Sequence, residues 1–140
     1  MAASILSLSV ANRREEMDRV TAAFEEFAQC LGVPRKCTMQ ILLALEELLL
    51  NSILYAFPPG EEQRISLNIQ LQDQNLSIDI RDGGVAFDPF NDAPAPDLTN
   101  ATMERRVGGL GVHIVKKTMD HYSYCREEGV NHTRIVKGIG

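Results

Sequence analysis

The sequence predicts an α+β fold, a two-layer sandwich in which helices lie on one face of a mostly antiparallel sheet. Three observations predict it. Two runs of apolar/polar alternation, Ile65/Leu67/Ile69/Leu71 and Leu76/Ile78/Ile80, meet at Asp73-Gln74-Asn75, a connection short enough for a hairpin. Two segments of helical periodicity precede them with no strand between. Two strand-like runs close the chain after one short helix, so the order β-α-α-β-β-loop-α-β-β lacks the strict alternation of a parallel sheet.

Each element has a local reason. Leu6, Leu8 and Val10 alternate with Ser7 and Ser9, the period of a half-buried strand. From Arg13 to Leu31 the apolar residues Met17, Val20, Phe24, Phe27 and Leu31 fall three or four apart, with charges between them, and Gly32 ends the helix. Pro34 suits the start of a second helix, which runs to about Phe57 and is stopped by Pro58-Pro59-Gly60. After the hairpin, residues 88–107 lack periodicity and contain Pro89, Pro94 and Pro96, which predicts a long loop. Ile114, Val115, Thr118 and Met119 give a short helix with Lys116 and Lys117 turned outward, and Tyr122/Tyr124 and Thr133/Ile135 give two closing strands.

The 140 residues suit one domain spanning 1–140, and 44% hydrophobic with 24% charged residues is ordinary for a globular protein. A net charge of −5 gives no reason to expect nucleic acid or an anionic membrane as partner. Cys30, Cys37 and Cys125 form no CxxC pair, the start lacks a secretory pattern, and Ile41 to Leu50 is too short to span a bilayer. A cytoplasmic protein with reduced thiols is expected. The three histidines stand apart from one another and from the cysteines at metal-ligand spacing, so no zinc site is expected.

Three segments can carry chemistry. On the second helix, Glu47 and Asn51 fall outside the stripe formed by Ile41, Ala44, Leu45, Leu48 and Ser52, and their i, i+4 spacing stacks them one turn apart. The Asn51 oxygen is a hard donor suited to Mg²⁺, which completes its shell with water and nucleotide phosphates. Glu47 can then orient or deprotonate a nucleophile beside a γ-phosphate. The same helix also reads as a plain amphipathic one, with Glu46, Glu47 and Asn51 merely solvated.

Directly after a strand comes Arg81-Asp82-Gly83-Gly84-Val85-Ala86-Phe87-Asp88-Pro89. Its glycines permit a turn and the close approach of a planar ligand, and the Asp82 carboxylate can accept a hydrogen bond from the exocyclic amine of adenine. A common Asp-Gly turn is the other reading. The third segment, Arg105-Arg106-Val107-Gly108-Gly109-Leu110-Gly111, leads into a helix that begins near Val112. Glycine-rich backbone at a helix N-terminus offers free N–H groups and a positive dipole end to a phosphate. Ile114 stands where a GxGxxG motif needs its third glycine, and no Gly-Lys-Ser/Thr occurs, so neither common phosphate motif is met.

Taken in order, EELLLN, DGGVAFDP and GGLGVHIVKKTMD resemble the N, G1 and G2 boxes of the GHKL ATPases, the group that includes gyrase, Hsp90, histidine kinases and MutL. Phe87-Asp88-Pro89, Glu104 to Arg106 and the run from Gly108 to Asp120 are similar to the small anti-sigma-factor serine kinases of the RsbW and SpoIIAB type. The resemblance implies the Bergerat ATP-binding fold, with Glu47 as catalytic base and Asn51 as Mg²⁺ ligand. It implies an adenine site at Asp82 and Gly84, phosphate contacts along Gly108, Gly109, Leu110, Gly111 and Val112, a γ-phosphate contact from Arg105, and an ATP lid over residues 88–107. It further implies phosphorylation of a STAS-domain anti-anti-sigma protein, capture of a sigma factor, and a homodimer. A non-catalytic module, in which ATP only sets the affinity for a partner, shares every one of these motifs. Two departures stand out: Leu48, Leu49 and Leu50 make the helix unusually apolar, as for a larger dimer or partner surface, and Ala86 replaces a frequent glycine or proline.

Overall fold

A computed structural model describes residues 3–92 and 109–140. The elements are β1 (Ser4–Ala11), α1 (Glu16–Cys30), α2 (Arg35–Tyr55), β2 (Arg64–Gln72), β3 (Asn75–Asp82), α3 (Gly109–Thr118), β4 (His121–Glu127) and β5 (Val130–Gly138). The five strands form one sheet in the order β1-β2-β3-β5-β4, and every neighbouring pair is antiparallel. This is the expected α+β sandwich, with the sheet antiparallel throughout.

The alternation places the core. Ile65, Leu67 and Ile69 of β2 and Ile78 and Ile80 of β3 are at most 2% exposed, and they pack with Val20 and Phe24 of α1, Ile41, Leu45 and Leu49 of α2, and Val112 and Val115 of α3. Burying such side chains contributes about 1.5–3 kcal/mol each, so the layer of helices is held chiefly by this face. The other face of the sheet carries the polar set Ser7, Ser66, Asn68 and Arg81.

The boundaries follow local chemistry. Gly32 has φ +72°, and the Gly32 and Val33 N–H groups donate to the Gln29 and Ala28 carbonyls, a Schellman stop for α1. The β2–β3 connection is tighter than expected: Asn75 already belongs to β3, and only Asp73 (φ 52°) and Gln74 (φ 68°) turn the chain, the positive φ pair of a two-residue hairpin.

Where Ile41 to Leu50 alone is too short to cross a bilayer, the whole of α2, at 21 residues, is long and apolar enough by length and composition. Most of its apolar residues face the core, while Met39, Leu43, Leu54 and Tyr55 stay exposed. Leu48 is 3% exposed, Leu49 fully buried and Leu50 packed against the core, so this leucine run is interior and not the extra dimer or partner surface expected. Helix α3 begins at Gly109, three residues before the expected start at Val112, which puts Gly109, Leu110 and Gly111 in its first turn.

Candidate functional site

Helix α2 crosses the sheet so that its C-terminal half faces the end of β3. Glu47 and Asn51 are 9% and 5% exposed, which overturns the solvated reading of this helix. Among the described residues, neither Glu47 Oε2 nor Asn51 Nδ2 has a hydrogen-bond partner. A buried polar atom without a partner costs about 1–3 kcal/mol. Two of them one helical turn apart mark a place that a polar ligand or a hydrated cation would satisfy. Burial pushes the Glu47 carboxyl above the usual carboxylate range; the Asn51 amide pulls the other way and the Glu46 charge adds to the rise.

Gly111, in the first turn of α3, lies directly against Glu47. A Cβ there would overlap the Glu47 carboxylate, so glycine is required if the acid and the helix start are to sit together. The first N–H groups of α3 have no intrahelical acceptor, and an anion fits such a terminus. Arg105, Gly108 and the rest of the expected lid from residue 93 onward lie outside the described residues.

Asp82 ends β3 and is 6% exposed. Its Oδ1 accepts from the Gly84 N–H and Asn131 Nδ2, both at 2.9 Å, and its Oδ2 accepts from Ser52 Oγ at 3.0 Å. Two ionised carboxylate oxygens offer about four acceptor positions, so among the described residues one position remains on Oδ2. Asp82 lines a pocket together with Asn51, Ser52, Val85, Phe87 and Thr133. An amine N–H is the kind of donor that such a position accepts.

Gly84 has a demand of its own that precedes any ligand. A Cβ on Gly84 would strike the carbonyl of Ala56 at the end of α2, and the next N–H, of Val85, donates to that same carbonyl at 2.8 Å. Gly83 faces open space, so of the pair only Gly84 is needed for packing.

Sequence reasoning missed Asn131, whose amide group is fully engaged. Its Nδ2 donates to Asp82 Oδ1 and, at 2.7 Å, to the Val85 carbonyl. Its Oδ1 accepts from Arg126 Nη1 at 2.9 Å and from the Tyr124 hydroxyl. Arg126 Nη1 also donates to the Gly84 carbonyl at 2.9 Å. A signal existed: Asn131 shares the inward phase of Thr133 and Ile135, and a polar residue at an inward position requires partners.

The start of the long loop is built more firmly than its composition suggests. Phe90 is buried, its ring 4.8 Å from Tyr122, and the Asp88 carboxylate accepts from the Phe90 N–H. Lys116 is tethered and not simply turned outward: its Nζ donates to the Phe90 carbonyl at 2.7 Å.

Residues 10–137 match the family model described as the histidine kinase-like ATPase domain. The serine/threonine-protein kinase BtrW of Bordetella bronchiseptica is 33% identical over 96 residues, which cover 69% of this chain and 67% of BtrW. The serine-protein kinase RsbW of Listeria monocytogenes is 24% identical over 71% of this chain and 66% of its own. An anti-sigma F factor of Oceanobacillus iheyensis is 26% identical over 82% of this chain and 78% of its own. The chain thus spans about two thirds of the two kinases. Among solved structures, the RsbU and RsbW domains of a Mycobacterium tuberculosis protein superpose with a TM-score of 0.71 at 12% identity, over 97% of this chain and 32% of that one. A chain of the SiaB-SiaC complex of Pseudomonas aeruginosa gives 0.61 at 12% identity, over 94% of this chain and 88% of that one. At these identities the two structures speak for the fold alone.

Proposed function

The chain belongs to the histidine kinase-like ATPase family, and from that premise we propose that it is an ATP-dependent serine kinase acting on a small STAS-domain antagonist in a partner-switching circuit. The observation that carries this reading is the buried Glu47, unmatched at Oε2 and one turn from Asn51, in a site that also holds a free acceptor on Asp82. Relatives named as serine kinases and as an anti-sigma factor support the same assignment.

Each residue has a role that its surroundings allow. Asp82, fixed by Gly84, Asn131 and Ser52, presents one acceptor to the exocyclic amine of adenine, which guanine lacks at that position. Gly84 lies beneath the base, and Gly109, Leu110, Gly111 and Val112 bring the start of α3 to the phosphates, with Gly111 leaving room beside Glu47. Mg²⁺ held through Asn51 would neutralise charge on the phosphates. Glu47, whose affinity for a proton is raised by burial, takes the proton of the incoming serine hydroxyl. Capture of a sigma factor when the antagonist is unavailable, a homodimer and a cytoplasmic site of action complete the proposal.

The test is transfer of label from γ-labelled ATP, with Mg²⁺, to a serine of the STAS protein encoded beside this chain. Glu47→Gln is expected to abolish labelling while ATP still binds; labelling that survives the substitution removes Glu47 from the chemistry. ATP binding with no transfer to any such protein supports the regulatory module instead.

A further inference from the structure

The face of the sheet turned away from the helices carries a second cluster of reactive groups. Asp79 of β3 points there, since Ile78 and Ile80 point into the core, yet it is only 5% exposed. His132 Nε2 lies 2.6 Å from Asp79 Oδ1, and Arg134 Nη1 lies 2.9 Å from each Asp79 oxygen. Across the β4–β5 pair, Cys125 is the register partner of His132, with its Sγ 4.0 Å from Nδ1. Asp79, His132 and Cys125 therefore run in a line from a buried carboxylate to an exposed thiol.

The line has a chemical direction. A carboxylate that accepts the Nε2–H fixes the imidazole in the tautomer whose Nδ1 lone pair faces the sulfur. Arg134 Nη1 bridges both oxygens of the same carboxylate, which fixes the orienting group in place. A thiol beside a fixed imidazole acceptor is the arrangement of an activated nucleophile.

We propose that Cys125 is a nucleophilic thiol, served by His132 as proton acceptor and by Asp79 as positioning residue, and that it is a site of covalent modification by hydroperoxides. The thiol proton passes to His132 Nδ1, and the sulfur attacks the terminal oxygen of the peroxide. An S–O bond forms as the O–O bond breaks, the sulfur is oxidised by two electrons, and the departing alkoxide or hydroxide takes the proton back from His132. The products are a sulfenic acid and an alcohol or water. The site lies on the opposite face of the sheet from the nucleotide pocket and stands independently of the kinase reading.

The protein carries its own control in Cys30, exposed at the end of α1. With the intact chain in dilute hydrogen peroxide and dimedone, peptide mass spectrometry is expected to show Cys125 trapped about a hundredfold faster or more than Cys30, the lower end of what a positioned base supplies. His132→Gln keeps a donor for Asp79 but has no basic nitrogen, so it is expected to bring Cys125 down to the rate of Cys30 and leave Cys30 unchanged. Equal rates in the unaltered protein overturn the proposal without any variant. So does an unchanged Cys125 rate in a folded His132→Gln protein.

Discussion

Burial gives Glu47 a pH dependence opposite in sign to that of an ordinary paired carboxylate. Its folded value lies above the usual 4.5, chiefly through desolvation. At pH below 4.5 both folded and unfolded chains hold the proton and the residue contributes nothing. As pH rises, the unfolded chain loses its proton first, so stability falls until the folded value is passed and stays lower beyond it. Glu47→Gln is therefore expected to raise the thermal midpoint of the nucleotide-free protein at neutral pH, with the gain gone by about pH 4. Glu16 is the reverse case: hydrogen bonds from Arg19 and then from the Ala11 N–H hold it down to about 2. Its contribution is present above 4.5 and is lost as pH falls toward 2. Melting curves of Glu16→Gln across that range are expected to converge with the parent at the acid end. The pairing of Glu47 with Asn51 was legible in their spacing. Their burial was not, because a carboxylate on a helix is usually solvated, and the wall that covers it comes from Gly111, some sixty residues on.

At the scale of elements, the joint between the end of α2 and the turn after β3 decides whether the pocket exists. Gly84→Ala places a methyl group in the Ala56 carbonyl, and overpacking of this kind costs about 1–3 kcal/mol. Denaturant unfolding is expected to show that loss together with weakened ATP binding. Gly83→Ala, which meets nothing within 4 Å, is expected to show neither. The DGG sequence announces a turn but does not say which glycine matters; that depends on a helix terminus distant in sequence. The β2–β3 hairpin, by contrast, was readable because its alternation and its turn are local. The start of α3 was placed too late because glycines are poor helix formers and only the contact with Glu47 shows why they are there.

For the whole molecule, one sheet supports two unlike faces, and binding on the inner one feeds back on folding. A ligand that binds only the folded chain at about a hundred times its Kd adds about 2.7 kcal/mol of stability. ATP with Mg²⁺ is expected to raise the thermal midpoint, GTP to leave it nearly unchanged because Asp82 then faces an oxygen, and removal of Mg²⁺ by chelation to shrink the ATP shift. The layer architecture was legible from the order of periodicities, since each element announces its own buried face. The line from Asp79 to Cys125 was not, because it joins three strands whose pairing no single segment encodes.

Strand β5 serves both faces with consecutive residues: Asn131 holds Asp82 from within, His132 meets Asp79 and Cys125 without, and Thr133 and Arg134 repeat the exchange. A slip of one residue in its register would turn every one of these side chains over. His132 would then sit under Asp82, and Thr133 beside the thiol. The two faces therefore proofread each other, and a chain that has assembled one of them correctly has assembled both.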